Sequence, residues 1–467
     1  MSASTPPSAT GATAPVSERW APLGAALAVL TVGALTWHYL VDDAFIVARY
    51  AAHLASGDGW SMNPGVTSDG ITAPLWLLPI AALETLGLDA SIAQRVLGLA
   101  ATAAAVLLTV RDQTKRRGLV AVLCAAQGTL GIWGGAGLET GAATLALVLV
   151  ARPVWGAPGW RLAALGALVI PWLRPELLPV AGVLAFGGPR PRAVLAALAL
   201  GLVGVLGFRL ALFGHPLPLA SAAKLGGLAD GLHYGAIGLL LTTGAGGVAL
   251  AGAATRTDRL LVVALLMHWV SLVIAGGDWM PGHRLFVPAL PLYAVAMARG
   301  FGALGHRLRW VALALAVLVP LAMSGLQTRL AWEAGAQRRN RGPSVAAAVE
   351  GRGPVALVDV GYIGWRAGVE VIDLGGITDP VIARAPGGHL DKHVPLGHLV
   401  AREPRTILLH SATRPEVDDD GRLVRLAGYP VERRVAGLPW VRAHFRVGAV
   451  VEYGPAYWYV RLDRSGY

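Results

Sequence analysis

Residues 37–76 of the chain are WHYLVDDAFIVARYAAHLASGDGWSMNPGVTSDGITAPLW. This stretch begins as the end of an apolar run, and two adjacent carboxylates, Asp42 and Asp43, follow at once. Acidic side chains at the point where an apolar helix leaves a membrane are costly unless they face water or have a function. A turn at Asn63-Pro64-Gly65 precedes the next apolar run. The pattern predicts an outer loop over residues 42–70, between two membrane-embedded segments.

The composition of the whole chain favours a membrane location. Of the 467 residues, 55% are hydrophobic and 14% are charged, whereas soluble domains carry roughly 25% charged residues. The net charge of +11 would suit nucleic acid in a soluble protein. Here the Arg and Lys residues lie in short loops between apolar runs, which is typical of membrane proteins. We therefore expect a polytopic α-helical membrane protein that contacts lipids and has no nucleic-acid partner. The single cysteine, Cys124, excludes an internal disulfide and a thiolate metal site.

The chain divides into three predicted parts. Residues 1–18 are rich in Ser, Thr, Ala and Pro, which predicts a disordered cytoplasmic tail. Residues 19–325 predict a membrane domain of about eleven spans, and Arg19 on the inner side of the first span places Asp42 and Asp43 outside. Residues 326–467 contain short β-like runs separated by Gly and Pro turns, which predict a soluble α/β domain on the outer side. These runs are Val355–Val360, Val369–Leu374, Thr406–His410 and a paired stretch at 446–462.

Residues 44–55, directly after the two carboxylates, predict a short helix lying on the membrane. Its apolar face comprises Ile46, Tyr50 and Leu54. Arg49 and His53 share another face, and Asp42 joins that face if the helix extends back far enough.

The apolar runs at 72–88 and 91–110 raise a question of topology. The loop that follows them, at 111–117, is basic and should be cytoplasmic. Two full crossings from the outer loop would instead leave it outside. Either one of the two runs is not a simple crossing, or the charge rule fails at this loop, and the sequence leaves both options open.

Asp42 and Asp43 have two interpretations. They can form a solvated helix end or an amino-terminal cap, where a carboxylate accepts hydrogen bonds from free N–H groups. They can also act as a general base and its partner, because transfer of a group to a hydroxyl needs a carboxylate within hydrogen-bond reach of the O–H. A divalent metal held by the acids is left open, although no His and Asp spacing indicates one.

Other polar residues stand out because their surroundings are apolar. They are Glu139, Arg174, Glu176, Lys224, Asp278, His283 and Arg284. Glu139 is either a surface loop acid or a site residue, and Arg174 and Glu176 form either an ion pair at a helix break or a site for a lipid phosphate. Lys224 and Arg284 can also extend to lipid head groups. If the basic loops alternate across the membrane, all these residues face the side of Asp42 and Asp43 and converge on one cavity. Strand-end residues such as Asp359, Asp373 and Asp379 have a turn-capping or a site interpretation.

A series of motifs through most of the chain resembles a known superfamily. The motifs are VDDAFIVARYAAHLASGDGWSMNPG and TAPLW in the first loop, GLET at 137–140, RPE at 174–176, AAK at 222–224, GGDWMPGHR at 276–284, VDVGYIGW at 358–365 and VIDLGGITDP at 371–380. In this order they resemble the GT-C superfamily of polyprenyl-phosphate-sugar glycosyltransferases, and most closely the terminal beta-arabinofuranosyltransferases of cell-wall arabinan assembly. The loop HPLPLASAAKL at 215–225 departs from relatives that carry an Asn-Thr-Tyr-Tyr type of sequence before the lysine. The resemblance therefore implies the donor class more than the sugar.

The resemblance implies an enzyme of the bacterial inner membrane with its active site and carboxy-terminal domain outside. It implies transfer of a sugar, arabinofuranose or another pentose, from a polyprenyl phosphate to an envelope glycan. Asp42 is then the expected general base, with Asp43 as its partner or the alternative base. Candidates for the donor phosphate are Arg174, Lys224, His283 and Arg284. Candidates for the sugar and acceptor are Arg49, His53, Glu139, Glu176 and Asp278. No cofactor is implied with certainty, and a divalent metal stays open.

Two rival functions make different predictions. A transporter or flippase for a lipid-linked sugar predicts paired broken helices related by pseudo-symmetry, which the sequence does not display. A non-catalytic membrane assembly factor predicts that the polar residues named above scatter over the molecule. A transferase predicts that they meet at one cavity.

Overall fold

A computed structural model describes residues 16–223 and 227–466. Most of the predicted tail and Lys224 lie outside the described residues.

The first two thirds of the chain are helical. These helices are α1 (Val16–Leu35), α2 (Asp42–Ser56), α3 (Pro74–Thr85), α4 (Ala90–Arg111), α5 (Arg117–Ala125), α6 (Thr129–Gly135), α7 (Thr140–Ala151), α8 (Trp160–Leu173), α9 (Leu178–Ala185), α10 (Pro191–Phe213), α11 (Leu219–Ala223), α12 (Leu228–Thr243), α13 (Arg256–Ile274), α14 (Leu290–Gly300) and α15 (His306–Val349). Short 3₁₀ segments join several of them, at Arg152–Trp155, Pro175–Leu177, Gly244–Gly252, Arg284–Ala289 and Phe301–Ala303.

Among the described residues, 6 helical segments are long and apolar enough to cross a membrane, and the number rises to 7 if the bent pair α5–α6 is one span. The 6 segments are Ala90–Arg111, Pro191–Phe213, Leu228–Gly252, Arg256–Ile274, Arg284–Ala303 and His306–Val349. Shorter apolar helices, among them α3 and α8, lie between them. The predicted helical architecture with several apolar segments is confirmed at this level, whereas the count of eleven spans stays a prediction.

Helix α2 begins at Asp42, so the predicted helix at 44–55 is confirmed and extends two residues further back. Its two acids, Asp42 and Asp43, occupy the first turn, where the helix dipole stabilises negative charge. It ends at Gly57, whose left-handed conformation (φ 86°) lets its N–H donate to the carbonyls of His53 and Leu54. The expectation that α2 lies on the membrane is wrong. Ala44–Ala51 are buried, because α2 packs against α3 on one side and against the carboxy-terminal part on the other.

The carboxy-terminal part contains the predicted sheet. Its strands are β3 (Val355–Leu357), β4 (Val371–Asp373), β5 (Thr406–Ser411), β8 (Phe445–Gly454) and β9 (Tyr457–Arg464). Two separate hairpins complete the strands: β1 (Ser61–Asn63) with β2 (Val66–Thr67) in the first loop, and β6 (Glu416–Val417) with β7 (Leu423–Arg425) in the carboxy-terminal part. The five-stranded order is β4-β3-β5-β9-β8. Strand β3 pairs in parallel with β4 and β5, and β9 pairs antiparallel with β5 and β8. All four predicted strand regions are therefore confirmed. The helices here are α16 (Tyr362–Ala367), α17 (Pro380–Ala383), α18 (Leu396–Ala401), α19 (Pro430–Gly437) and α20 (Pro439–His444).

The 44-residue helix α15 connects the two parts. It runs through the predicted domain boundary at 325/326 without a break and is about 66 Å long at 1.5 Å per residue. Its second half packs against α16 and β8. The sheet is therefore carried on the end of a helix that begins among the apolar helices.

Three side chains of the first loop dock onto the carboxy-terminal part. Arg49 is buried and donates Nε to the carbonyl of Met62 at 2.7 Å, Nη2 to that of Val369 at 2.7 Å, and Nη1 to that of Gly364. The Asn63 amide pairs with both backbone groups of Val371 at 2.8 and 2.9 Å and so extends the edge of β4. The third side chain, that of Asp42, contacts the start of α16 as described below. We call these three residues the docking clamp.

Candidate functional site

Asp43 lines a cavity together with Glu139, Arg174 and Arg284. The cavity, called here the charged cavity, has an empty volume of about 640 Å³ and opens to solvent. Its remaining lining is mostly apolar or backbone and comprises Ile46, Val47, Gly70, Ile71, Thr72, Ala73, Leu138, Ala220 and Ile377. Four of the residues predicted to converge therefore meet at one cavity, whereas Asp42, Glu176, Asp278 and His283 are not part of its lining.

Glu139 reaches the charged cavity because of the turn before α7. Gly137 has a φ of 89°, and a Cβ at this position would clash with Leu40, Ala44 and Gln94. The glycine lets the turn approach α2 and α4 closely, and Glu139 follows at the start of α7. Glu139 is only 6% exposed, so its interpretation as a surface loop acid is wrong.

Arg174 occupies a break between α8 and α9. Its backbone is extended (φ −147°, ψ 94°) ahead of Pro175, as expected for a residue before proline. Its Nε lies 2.6 Å from Glu139 and its Nη1 lies 3.1 Å from Glu176. The ion pair at a helix break is confirmed, and its acid partner across the chain is Glu139. Carboxylates on both sides offset the cost of burying the guanidinium.

Arg284 forms the second ion pair of this region, from its Nε to Asp278. Arg284 is 8% exposed, so the interpretation in which it extends to head groups is wrong. Its guanidinium also lies over the ring of Trp133, with 5.8 Å between the carbon and the ring centroid. Both arginines of the charged cavity are therefore held in place by acids before any ligand binds.

An ion pair that the sequence did not indicate, Arg209 with Asp69, holds the segment 69–72 beside the charged cavity. Arg209 in α10 forms a buried ion pair with Asp69 and donates Nη2 to the carbonyls of Ile71 (3.2 Å) and Thr72 (2.8 Å). These contacts fix the segment 69–72 against α10. An arginine within an apolar run is the signal that could have found this pair, because it needs a partner there.

Asp42 faces away from Asp43. Its two carboxylate oxygens accept hydrogen bonds from the backbone N–H groups of Gly361 and Tyr362, both at 2.9 Å. A Cβ at Gly361 would clash with the carbonyl oxygen of Asp42, so the glycine permits this approach. The capping interpretation thus holds for Asp42, but the helix that it caps is α16. Burial raises the pKa of Asp42 from 3.8 to about 6, Asp359 acts in the same direction, and Arg338 opposes it.

A second cavity lies on the Asp42 side, between α2, α15 and the sheet. We call it the tyrosine cavity, and its empty volume is about 1040 Å³. Its lining includes three charged residues, Asp42, Arg338 and Asp359. Its aromatic lining comprises Tyr39, Trp279, Tyr362, Tyr429, Tyr453, Tyr457 and Tyr459. The sequence singled out Asp359 and Tyr362 as strand-end residues but not the other tyrosines, although Tyr457 and Tyr459 alternate in β9 and so share one face of the strand.

The other predicted site residues lie elsewhere. Arg49 and His53 line a third cavity with Asn63, and Arg49 is engaged by backbone carbonyls as part of the docking clamp. These contacts give Arg49 a structural role, and its expected role in sugar binding stays a prediction. His283 adopts a left-handed conformation (φ 51°) and packs on Tyr234, with ring centroids 4.9 Å apart. Lys224 lies outside the described residues, and within them we find no cluster of three or more His, Cys, Asp and Glu that could hold a metal.

Comparison with known proteins adds one relationship. Residues 332–458 match the family model of a domain of unknown function, DUF8728. No match to the chain was found among curated proteins or among solved structures. The matched region runs from the second half of α15 into β9, so it includes Asp359 and most of the tyrosine cavity but neither Asp43 nor the arginines of the charged cavity.

Proposed function

We propose that this protein is a membrane glycosyltransferase that moves a sugar from a polyprenyl phosphate to a hydroxyl of an envelope glycan. The observation that carries the proposal is the meeting of Asp43, Glu139, Arg174 and Arg284 at one cavity. These residues come from segments far apart in the sequence and combine a candidate base with two fixed cations. Such a set suits transfer from an anionic leaving group, because the acceptor must lose a proton and the phosphate must be stabilised.

In the proposed reaction the acceptor oxygen attacks the anomeric carbon of the donor sugar. The bond between that carbon and the phosphate oxygen breaks, and the phosphate leaves with the electron pair. The carboxylate of Asp43 takes the proton of the attacking hydroxyl. We assign the base to Asp43 because it lines the charged cavity together with Arg174 and Arg284, whereas Asp42 lines the tyrosine cavity. Asp42 then holds α2 against α16.

The two arginines suit the phosphate for geometric reasons. The ion pairs of Arg174 use its Nε and Nη1, and that of Arg284 uses its Nε. A guanidinium carries five N–H donors in a planar fork, so each arginine can hold an acid and present further N–H groups to a phosphate. Glu139 fixes Arg174 and lines the charged cavity, and in the proposed reaction it accepts a hydrogen bond from a sugar hydroxyl.

A membrane location is part of the proposal. The long apolar helices support it, as does the outward face of α15, where Leu318 is 58% and Leu321 is 52% exposed. Large apolar side chains in such numbers are seldom exposed to water. In the orientation that the basic loops favour, the charged cavity and the sheet face the outside of the cell.

The test is a transfer assay with purified protein in lipid nanodiscs. A panel of radiolabelled polyprenyl-phosphate pentoses and hexoses is offered with oligosaccharide acceptors, and released polyprenyl phosphate and labelled glycan are measured. We expect transfer from at least one donor, and Asp43→Asn should lower kcat by about 10²–10⁴-fold, as for the loss of a general base. Asp58→Asn, an exposed carboxylate of the same loop, is the matched control and should retain full activity. Absence of transfer from every donor, or full activity of Asp43→Asn, would overturn the proposal.

A transporter of a lipid-linked sugar is the second candidate, because the apolar helices α5 and α6 are bent by 60° at the break between them and the chain is broken at Arg174 between α8 and α9. Broken helices are common around transporter sites. The same nanodisc assay separates the two, since only a transferase releases polyprenyl phosphate. In liposomes a transporter would move the intact donor across the bilayer without cleavage.

A further inference from the structure

Three basic side chains, called here the basic cluster, come together beside the connection between α1 and α2. His38 belongs to this connection, Arg95 to α4 and Arg339 to the second half of α15. Gly335 of α15 packs directly on the connection, because a Cβ at this glycine would lie 2.8 Å from the carbonyl oxygen of His38. Arg339 is four residues further along α15, so it lies one turn beyond this contact on the same face of the helix.

The two arginines of the basic cluster act on His38 through their charge. Desolvation, Arg339 and Arg95, in decreasing order, lower the pKa of His38 from 6.5. Other arginines of the helical part are held by ion pairs with acids, namely Arg152, Arg174, Arg209, Arg284 and Arg299. Within the described residues neither Arg95 nor Arg339 has such a pair. An anion among these groups would offset their mutual repulsion.

Arg95 is half-buried and only partly engaged. Its Nη1 donates to the carbonyl of Ser91 at 3.1 Å, and its guanidinium carbon lies 5.3 Å from the ring centroid of Trp37. Its Nε is buried and has no hydrogen-bond partner in the described part of the chain. Asp89 instead caps α4, where it accepts from the N–H groups of Ser91 and Ile92 at 2.8 and 3.1 Å. The guanidinium is thus held against an aromatic ring and can still offer N–H groups to a ligand.

The basic cluster lies at the depth expected for lipid head groups. The surface of α1 and α4 next to it is apolar, with Leu35, Ile92 and Val96 exposed. On α15, Trp332 is exposed three residues before Gly335, which is about 4.5 Å along the axis. Tryptophan is enriched where a membrane meets water. The basic cluster therefore begins where the lipid-facing surface ends.

We propose that His38, Arg95 and Arg339 bind the phosphate head group of an anionic phospholipid of the outer leaflet. Guanidinium groups bind phosphate strongly through charge-assisted hydrogen bonds, and basic pockets between apolar helices suit anionic head groups. The acyl chains of the lipid lie along the exposed apolar side chains of α1 and α4. A lipid bound here joins α4 and α15 to the connection that leads into α2. The site rests on the proposed membrane location and orientation, and it does not depend on the transfer reaction.

The first test measures lipid binding without any sugar donor. Phosphatidylglycerol or the zwitterionic phosphatidylcholine is titrated against the detergent-purified full chain, and native mass spectrometry counts the bound lipids. Phosphatidylglycerol should bind more tightly. Arg95→Gln and Arg339→Gln should each weaken its binding about 5-fold, and the double variant about 25-fold, as for the loss of cations beside an anionic head group.

Two further variants separate charge from folding. Arg95→Lys keeps the positive charge and should bind phosphatidylglycerol within about twofold of the wild type. Arg425→Gln changes an exposed arginine of β7 and should bind like the wild type. Equal melting temperatures without added lipid establish that each variant is folded. Equal affinity of the wild type and the double variant for phosphatidylglycerol would overturn the site.

Competition identifies the source of the phosphate. Undecaprenyl phosphate at equal concentration and inorganic phosphate in excess should both leave phosphatidylglycerol bound, and displacement by either would overturn its assignment as a phospholipid site. If the wild type binds phosphatidylglycerol as expected but transfers no sugar, the transfer reaction fails and the lipid site stands. If transfer proceeds and the double variant binds lipid like the wild type, the lipid site fails and the transfer reaction stands.

Discussion

At the scale of residues, the adjacent acids Asp42 and Asp43 have different environments. Successive side chains on a helix point roughly 100° apart, so two neighbouring carboxylates at one helix start can face two cavities. Asp43 faces the charged cavity, and Asp42 caps α16. This division explains why the chain carries a pair of acids where a single acid would suffice for a cap.

The raised pKa of Asp42 predicts a pH dependence of stability. The carboxyl titrates near 3.8 when the chain is unfolded and at about 6 in the folded protein. Between these values the folded state holds a proton that the unfolded state has released, so lowering the pH stabilises the folded state. This contribution is complete below about pH 3.8 and is lost as the pH rises through about 6. From about pH 7 to about pH 5 it should add roughly 1 kcal/mol to the free energy of unfolding.

Asp42→Asn removes the titrating carboxyl. The pH dependence of the free energy of unfolding is therefore compared between the wild type and Asp42→Asn. Unfolding in detergent is followed by tryptophan fluorescence at both pH values, with Asp58→Asn as a control that should behave like the wild type. The wild type should gain stability on acidification relative to Asp42→Asn. Identical pH dependences would show that Asp42 is not the titrating group.

The sequence predicted which residues are unusual better than it predicted their partners. Charged side chains in apolar surroundings must be paired or functional, and this rule singled out Asp43, Glu139, Arg174 and Arg284. It could not assign Asp42 and Asp43 to different cavities, because the groups that engage Asp42 belong to α16, about 320 positions along the chain. A contact at that separation depends on tertiary packing and leaves no local pattern.

At the scale of elements, α3 bears on the topology that the sequence left open. It has 12 residues, so it extends only about 18 Å, whereas the hydrocarbon core of a bilayer is about 30 Å thick. The following helix α4 has 22 residues and can cross alone. This favours the option in which the first of the two apolar runs is not a simple crossing. With the first loop outside, as proposed, the basic loop at 111–117 would then be cytoplasmic.

Helix α15 continues through the predicted domain boundary at 325/326. The residues after 325 are more polar, which predicts a new domain, and a helix can leave a membrane without ending. Trp310 and Trp332 are exposed on α15 and lie 22 positions apart, about 33 Å along the axis. Tryptophan is enriched at both membrane interfaces. We therefore predict that residues 310–332 cross the bilayer and that the rest of α15 stands in water.

Site-directed spin labels test this placement of α15. Cysteines are introduced at Trp310, Leu321 and Trp332, and their accessibility to oxygen and to a water-soluble nickel reagent is measured in nanodiscs. The native Cys124 is fully buried and should react little, so the wild type serves as the blank. Leu321→Cys should be the most accessible to oxygen, and the two interface positions should be more accessible to nickel. Higher nickel accessibility at 321 than at 332 would contradict the predicted span.

At the scale of the whole molecule, the docking clamp joins the two parts of the chain. Asp42, Arg49 and Asn63 all come from the first loop, and each contacts backbone groups of the segment 361–371. The carboxy-terminal part is therefore attached to the helix that carries Asp43. Its position, and with it the shape of the tyrosine cavity beside Asp42, depends on these contacts.

Arg49→Met tests whether the clamp matters to activity. The substitution keeps much of the side-chain length but leaves three buried carbonyls without their donor, which should cost about 2–4 kcal/mol. Backbone amides at 361–371 should then exchange hydrogen faster, as measured by mass spectrometry. Transfer should fall as well, because α2 carries Asp43. Arg49→Lys should be intermediate, since an ammonium cannot reproduce the planar fork that contacts three carbonyls.

Arg425→Met is the matched control for the clamp, because Arg425 in β7 is exposed and pairs with Glu416 at the surface of the carboxy-terminal part. It should leave both hydrogen exchange and transfer unchanged, since exposed ion pairs contribute little. The two measurements, hydrogen exchange and transfer, report on docking and on catalysis separately. If Arg49→Met accelerates exchange at 361–371 but retains full transfer, the carboxy-terminal part is dispensable for placing Asp43. If neither quantity changes, the contacts of Arg49 do not hold the two parts together.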